Sequence, residues 1–231
     1  DKSVTANFIR QYTLTVAAGT GGTTDPSPGE HIFDTGTEVN ITATPDTNYR
    51  FSGWTGDVPS GHENDNPITI TMDSDKSVTA NFIRQYTLTV AAGTGGTTDP
   101  SPGEHIFDTG TEVNITATPD TNYRFSGWTG DVPSGHENDN PITITMDSDK
   151  SVTANFIRQY TLTVAAGTGG TTDPSPGTHL QDSGTQVTIT AIPSSGYEFS
   201  SWGEDASGTT NPITITMDSD KSVIANFKKK G

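Results

Sequence analysis

The first 74 residues of this chain and the next 74 are the same sequence, letter for letter. Residues 149–177 copy residues 75–103 once more, and the third copy departs from the others only from Thr178 before it returns to register at Asn211. A fixed period of this length indicates a tandem array of one structural repeat. An enzyme needs one asymmetric site, whereas an array provides length, multivalency or stiffness. The pattern therefore favours a structural or binding role, and we expect no catalytic residues.

Composition limits the partners of such an array. Only 29% of the residues are hydrophobic and the net charge is −16, a combination that is common in disordered chains. The few apolar residues alternate regularly with polar ones, however, so we expect three folded repeats, each with a small hydrophobic core. The negative charge argues against nucleic acid as a partner, because little in the chain neutralises phosphates. The absence of cysteine excludes disulfides and thiolate metal sites, and no apolar run is long enough for membrane insertion.

Apolar and polar residues alternate with period two in several short segments of the middle copy, which is typical of half-buried strands. Gly, Pro, Asp and Ser clusters separate these segments, and none shows helical periodicity over a useful length. Gly127 interrupts one segment and predicts a bulge that redirects Trp128. The predicted fold class is all-β, with five to six antiparallel strands in each repeat. The predicted strands of the middle copy are 86–90, 105–107, 112–118, 123–128, 141–146 and 151–156.

The repeats follow one another almost without linkers. Only three residues separate Phe82 from Tyr86, none of them Gly or Pro, so one continuous strand can leave one repeat and begin the next. We therefore expect a linear, rod-like array with limited hinge motion. The expected domains are 11–83, 85–157 and 159–227, with residues 1–10 as the leftover final strand of a preceding repeat and 228–231 as a basic tail. Because residue 1 lies inside a repeat, we expect this chain to be a piece of a longer protein.

The divergent part of the third copy acts as an internal mutagenesis experiment. Replacement of Ile106 by Leu180 and of Phe107 by Gln181 predicts that Ile106 lies inside and Phe107 outside. Replacement of Arg124 by Glu198 is interpreted as variation of a solvent-facing charge that contributes little energy. The positions that keep their apolar residue are predicted to form the core. These are Val187, Ile189, Ala191, Tyr197, Phe199, Trp202, Ile213, Ile215, Met217, Val223, Ala225 and Phe227.

One tryptophan recurs in each repeat: Trp54, Trp128 and Trp202. An indole on a β surface can stack against a sugar ring, so these residues are candidate glycan contacts. The alternative is that each tryptophan is buried and contributes much of the buried apolar area of a domain that has few apolar residues. The second interpretation is favoured because apolar residues are scarce here and are usually buried. Solvent exposure of the three indoles distinguishes the two.

Two further sets of polar residues are weak candidates for a site. The loop 130–140 carries oxygen ligands that suit calcium, but His136, Glu137 and Asp139 have no counterpart in the third copy. We therefore expect a solvated acidic loop, with no bound metal and no cofactor. His31, His105 and His179 recur without a neighbouring cysteine or second histidine, so they predict neither a metal site nor a catalytic arrangement.

Ordered short motifs in the middle copy together resemble the divergent internalin-B B-repeat domain. They are 86–90 (YTLTV), 95–97 (GGT), 99–103 (DPSPG), 110–111 (GT), 117–119 (ATP), Tyr123, Phe125, 127–128 (GW), 141–146 (PITITM) and 150–156 (KSVTANF). The resemblance covers all three repeats. It implies an extracellular β module that occurs in tandem on bacterial and archaeal surface and secreted proteins, without catalytic residues. The distantly related B-repeat has a β-grasp-like fold with a short helix, for which this sequence has no helical pattern.

We therefore expect an extracellular spacer or stalk of a surface adhesin or fibre, without catalysis. The main alternative is a glycan-binding array, whose partners would be surface glycans, and a third class is an accessory region of an enzyme. The expected partners of the spacer are neighbouring repeats. Residues 1–10 would expose Val4, Ala6 and Phe8 if unpaired, so we expect them to dock at the start of the first domain or on another molecule, the latter giving head-to-tail self-association.

Overall fold

The computed structural model describes residues 1–231, which form nineteen strands and no helix. The predicted all-β class and the three tandem repeats are confirmed. Repeat 1 contains β1 (Gln11–Ala18), β2 (Gly22–Asp25), β3 (Gly29–Asp34), β4 (Glu38–Pro45), β5 (Tyr49–Gly56), β6 (Ile68–Thr71) and the first half of β7 (Lys76–Ala92). Repeat 2 adds β8 (Gly96–Asp99), β9 (Gly103–Asp108), β10 (Glu112–Pro119), β11 (Tyr123–Gly130), β12 (Ile142–Thr145) and the first half of β13 (Lys150–Ala166). Repeat 3 adds β14 (Gly170–Asp173), β15 (Gly177–Asp182), β16 (Gln186–Pro193), β17 (Tyr197–Glu204), β18 (Ile213–Thr216) and β19 (Lys221–Lys229).

The chain divides into two compact units. The first unit comprises Asp1–Leu88, Glu104–Val113 and Thr145–Lys150, so it holds repeat 1 and part of repeat 2. The second unit comprises Thr89–Gly103, Asn114–Ile144 and Ser151–Gly231, so it holds the rest of repeat 2 and repeat 3.

In the first unit, repeat 1 folds into two sheets. One sheet has the order β3-β1-β7-β5, in which β1 pairs antiparallel with β3 and parallel with β7, and β5 pairs antiparallel with β7. The other is antiparallel, with the order β2-β4-β6. The alternating side chains of both sheets meet in one core. Its buried members are Leu14, Val16, Val39, Ile41, Ala43, Trp54, Ile68, Ile70, Met72, Val78 and Ala80.

This topology differs in two details from the expected antiparallel repeat of five to six strands. The first strand and the last strand of the repeat, β1 and β7, are neighbours and run parallel. A parallel pair needs a long crossover connection, and here the whole intervening repeat supplies it. The glycine-rich segment after β1 also contributes a short strand, β2, because Gly22–Asp25 pairs with the end of β4. Each repeat consequently has seven strand segments.

In the second unit, repeat 3 follows the same plan. One sheet has the order β15-β13-β19-β17, again with a parallel pair of β13 and β19, and the other has the order β14-β16-β18. The predicted core positions of this copy are confirmed, since eight of the twelve are buried in one cluster and Phe199, Ile213 and Phe227 pack against it. Tyr197 is half-buried.

The second unit also contains the pair β11 and β13 of repeat 2. Their register shifts between Phe125 and Gly127, and Gly127 has a φ of 127°. This value lies in the region that favours glycine. The predicted bulge before Trp128 is therefore confirmed.

Two strands are shared by successive repeats. β7 and β13 each run for 17 residues without a break, so the last strand of one repeat is also the first strand of the next. The prediction of a continuous strand between Phe82 and Tyr86 is confirmed.

The prediction for Ile106 is wrong. Ile106 is 67% exposed, and Ile32 and Leu180 at the same position are 66% and 60% exposed. Phe33, the counterpart of Phe107, instead packs against the core of repeat 1. The reason is the register of β3, which places Phe33 opposite Tyr12, on the face of β1 that also buries Leu14.

Residues 1–10 do not form a strand, and each of them is exposed. Val4 is 94% exposed and Phe8 is 93% exposed. In the structure this segment is therefore not docked at the start of the first domain.

Candidate functional site

The three tryptophans are anchors of the core. Trp54 and Trp128 are 2% exposed and Trp202 is 4% exposed. Each indole N–H donates to a backbone carbonyl in the loop that follows its strand, at 2.8 Å to Asp65, 2.7 Å to Asp139 and 2.8 Å to Thr210. The indole thus ties the long loop to the core, and it presents no open face on which a sugar could stack.

The acidic loops hold their polar groups in local hydrogen bonds. In repeat 1, the ring of His62 lies 2.6 Å from the carboxylate of Asp65, and Glu63 accepts the backbone N–H of Gly61 at 3.2 Å. Backbone hydrogen bonds lower the pKa of Glu63 below its usual value. The chain contains no group of three or more His, Asp or Glu side chains that could hold a metal ion.

The recurring histidines lie on the third strand of each repeat. The rings of His31 and His179 contact the backbone carbonyls of Ser27 and Ser175, at 2.7 Å and 2.8 Å. His105 is half-buried, with its ring 6.5 Å from that of Phe107. The carbonyl contacts of His31 and His179 tie the third strand to the turn that precedes it.

A contact between successive repeats lies at the point where β5 begins and β9 ends. One edge of the Arg50 guanidinium in repeat 1 binds both carboxylate oxygens of Asp108 in repeat 2: Nε donates to Oδ1 at 2.8 Å, and Nη2 donates to Oδ2. Gln85, on the shared strand β7, donates to the same carboxylate at 3.1 Å. A two-pronged arginine–carboxylate pair fixes geometry as well as distance. We call Arg50, Arg84, Gln85 and Asp108 junction 1.

Arg84 reinforces junction 1 from the shared strand. Its guanidinium lies 5.6 Å from the ring centre of Tyr49 in repeat 1 and 5.1 Å from that of Tyr86 in repeat 2. Such cation–π contacts attract the charge to both ring faces. One side chain therefore touches the end of one repeat and the start of the next.

The same arrangement recurs in the second unit and forms junction 2, which consists of Arg124, Arg158, Gln159 and Asp182. Arg124 Nε donates to Asp182 at 2.8 Å, and Gln159 donates to the same carboxylate at 3.2 Å. Arg158 lies 5.9 Å from the ring centre of Tyr123 and 5.0 Å from that of Tyr160. In both junctions the arginine precedes its aspartate by 58 residues.

These pairs change the ionisation of the aspartates. The hydrogen bond from Arg50 lowers the pKa of Asp108 below its usual value, and Arg124 does the same to the pKa of Asp182. The arginine pKa values are raised in turn. Both aspartates are therefore charged at neutral pH.

The junction corrects the interpretation of Arg124 as a freely varying surface charge. Arg124 and Arg50 each bind the next repeat, whereas Glu198 at the same position of repeat 3 contacts Lys228 within its own repeat, at 3.1 Å. The change of arginine to glutamate in the third copy was the available signal. Its meaning was hidden because the partner aspartate is remote in sequence.

At the other end of the array, repeat 1 has the aspartate half of a junction. Gln11 donates to Asp34 at 2.9 Å, and Arg10 lies 5.1 Å from the ring centre of Tyr12. We call Arg10, Gln11, Tyr12 and Asp34 the acceptor group. Its geometry matches the corresponding halves of junctions 1 and 2, without an arginine on Asp34.

The structure has no helix that is long and apolar enough to cross a membrane.

Comparison with known proteins agrees with the repeat architecture. No curated protein matches the chain. Among solved structures, the major pilin from Streptococcus pyogenes is aligned over 96% of this chain and 98% of its own, with 9% identity and a TM-score of 0.16. A mutant of the same pilin is aligned over 94% of this chain and 96% of its own, with 9% identity and a TM-score of 0.14. At these scores nothing about this chain follows from the pilins. The divergent InlB B-repeat domain matches residues 12–85, 86–159 and 160–231, and together with the repeated β architecture this shows that the chain belongs to the divergent InlB B-repeat family.

Proposed function

We propose that this array is a spacer, a stalk segment of an extracellular surface or secreted protein, and that it has no catalytic activity of its own. The observation that carries the proposal is the way in which successive repeats are joined. A strand of 17 residues belongs to both repeats at each junction, so no flexible segment separates them. A spacer has to keep a fixed distance between what it connects, and this type of connection serves that purpose.

Junctions 1 and 2 add side-chain restraints to the shared strands. Rotation of one repeat against the next around β7 would separate Arg50 from Asp108 and would pull Arg84 away from Tyr49 or Tyr86. The repeats differ in this respect from domains joined by Gly- and Ser-rich linkers, whose relative motion is the default. We propose an extracellular location because the family is similar to repeat modules of surface and secreted proteins.

The composition of the surface is compatible with this role. The net charge of −16 keeps a long array soluble and opposes the association of identical neighbours.

Small-angle X-ray scattering of the full chain tests the spacer. A compact protein of this length has a radius of gyration of roughly 18 Å. We expect a clearly larger value, together with a maximum dimension that does not change with ionic strength. A radius near the compact value contradicts the proposal.

A matched control is a chain in which Ile83, Arg84 and Gln85 are followed by an inserted Gly-Ser linker of about ten residues, a length that behaves as a flexible coil. We expect this insertion to broaden the distribution of interatomic distances. An unchanged distribution would show that the native connection is already flexible.

A further inference from the structure

Two repeats carry the sequence pattern to which N-linked sugar is attached. Residues 40–42 of β4 read Asn-Ile-Thr, and residues 114–116 of β10 read the same. Oligosaccharyl transferases recognise asparagine followed two residues later by threonine or serine, provided that the middle residue is not proline. Repeat 3 lacks the pattern, because Thr188 takes the place of the asparagine. The pattern is short, so the geometry of the asparagine decides whether the folded repeat can hold a sugar there.

Asn40 and Thr42 lie on the solvent face of their sheet. Along β4 the apolar residues are buried in the core, whereas Asn40 and Thr42 between them are exposed. The residue paired with Asn40 on β6 is Thr69, and the residue paired with Thr42 on β2 is Asp25. Both of these neighbours are exposed as well. The outer face around Asn40 is therefore polar and open to water, as an attached sugar requires.

One hydrogen bond orients the amide of each asparagine. The hydroxyl of Thr69 donates to Asn40 Oδ1 at 2.7 Å, and Thr143 donates to Asn114 Oδ1 at the same distance. The Nδ2 atoms of both asparagines have no partner in the protein. An N-linked sugar replaces one hydrogen of Nδ2 and leaves Oδ1 as an acceptor. The hydrogen bond from the threonine is therefore compatible with the modification, and the atom to be modified is the one without a protein contact.

The backbone around Asn40 determines when a sugar can be attached. β4 is the middle strand of its sheet and pairs with β2 on one side and with β6 on the other. Ile41, which separates Asn40 from Thr42, is completely buried. A transferase that binds residues 40–42 has to take this strand out of the sheet, which requires unfolding of the repeat. Attachment therefore precedes folding, and the folded repeat then carries the sugar on its outer face.

We propose that Asn40 and Asn114 are attachment sites for an N-linked oligosaccharide and that repeat 3 is not modified. The donor is an oligosaccharide linked to a polyprenyl diphosphate. Nδ2 forms a bond to the anomeric carbon of the first sugar, the bond from that carbon to the diphosphate oxygen breaks, and the polyprenyl diphosphate leaves. The amide nitrogen gives up one proton to a base of the transferase. The proposal rests on the extracellular location proposed above, because a secreted chain meets the transferase as it crosses the membrane.

The test is secretion of the full chain, with an added signal peptide, from cultured animal cells, followed by mass spectrometry of the intact protein. We expect a species with two glycans, which peptide N-glycosidase removes while it converts Asn40 and Asn114 to aspartate. Asn40→Gln should lose one glycan, and its combination with Asn114→Gln should lose both. The glycosylated chain should melt no lower than this double variant, because the sugars displace no protein contact. A lower melting temperature would contradict the outward position of the sugars.

Matched variants separate the sequence pattern from simple exposure. Thr42→Val removes the hydroxyl that the transferase recognises and should abolish the glycan at Asn40, whereas Thr42→Ser should retain it. Thr44→Val alters an exposed residue of the same strand outside the pattern and should leave both glycans in place. Thr188→Asn completes the pattern in repeat 3, where Thr190 is already present, and should add a third glycan.

A secreted chain without glycans overturns the proposal and leaves the spacer intact, since small-angle scattering tests the spacer independently. A peptide of residues 36–46 gives a second measurement that requires neither secretion nor folding. With a purified oligosaccharyl transferase and a polyprenyl-diphosphate oligosaccharide, we expect this peptide to be modified at least tenfold faster than the folded chain. An unmodified peptide overturns the attachment site, and equal rates overturn the order of attachment and folding.

Discussion

Replacement of Arg124 by glutamate puts into junction 2 the residue that repeat 3 has at this position, Glu198. The side chains of Arg124 and Asp182 are 44% and 28% exposed, so solvent screens their attraction. An exposed pair contributes up to about 1 kcal/mol, and the two-pronged geometry places this one near the upper end. A glutamate facing Asp182 adds a repulsion of similar size. We therefore expect the closed junction to lose about 2 kcal/mol, which shifts its equilibrium with open forms by about 30-fold.

The assay is a distance measurement across junction 2. Cysteines placed at the exposed residues Ser134 and Ser207 carry spin labels, and pulsed electron paramagnetic resonance gives the distribution of distances between them. We expect one narrow distribution with Arg124 and a broader one with Arg124→Glu. The shared strand β13 remains intact in both, so circular dichroism should not change.

Two controls make the result specific. The double variant Arg124→Glu/Asp182→Arg reverses both charges and should return the distribution to its original width, as expected for a coupled pair. Arg50→Glu alters junction 1 and should leave the Ser134–Ser207 distribution unchanged. Equal widths in the native and Arg124→Glu proteins would refute the role of this pair, and the shared strand alone would then define the junction.

The other predictions concern the core, pH and calcium. Trp202→Ala removes a buried indole and its hydrogen bond to the loop, so repeat 3 should lose about 3–5 kcal/mol of stability. Calorimetry should show one transition lowered by at least about 12 °C, because each kcal/mol shifts the melting temperature by about 4–8 °C. An unshifted transition would contradict the anchor role. Arginine lowers the pKa of Asp108 and Asp182, so the stabilisation of the junctions is complete above the ordinary aspartate pKa of about 3.9 and is lost as pH falls through the lower pKa of the folded state. The distribution of spin-label distances should therefore broaden only below about pH 4. Broadening at pH 5–6 would point to another group. Millimolar calcium should leave the melting temperature unchanged if the loops 56–66 and 130–140 are only solvated, whereas a saturable rise of several degrees would show specific binding.

Much of the fold could be predicted because local rules determine it. Alternation along each strand identified the inward residues, and the third copy kept Ile189 and Val223 apolar while its surface changed. Gly127 predicted a bulge because few other residues adopt its backbone angle without strain. The shared strand was predictable from the spacing of Phe82 and Tyr86, which preserves the parity of a β-strand.

The features that could not be predicted depend on contacts between remote residues. The parallel pairing of β1 with β7 joins the two ends of a repeat, and no local pattern encodes it. The face of Ile106 was misjudged because its strand, β9, pairs only with β7 at the edge of the sheet. A single apolar residue on such a strand can point either way, and only the pairing decides. The pair of Arg124 and Asp182 was missed because 58 residues separate them, and a charge change at one of them resembles ordinary surface drift.

The parallel pair of β1 and β7 also determines how a repeat responds to tension. A force along the chain pulls repeat 1 backward at the start of β1 and forward at the end of its part of β7. Because these strands are hydrogen-bonded neighbours that run in the same direction, the force slides one along the other. The five paired positions from Leu14–Lys76 to Ala18–Ala80 are then loaded in shear at the same time, rather than opened one after another. Each repeat therefore resists stretching through a short clamp of hydrogen bonds between its first and last strands, and β13 and β19 form the same clamp in repeat 3.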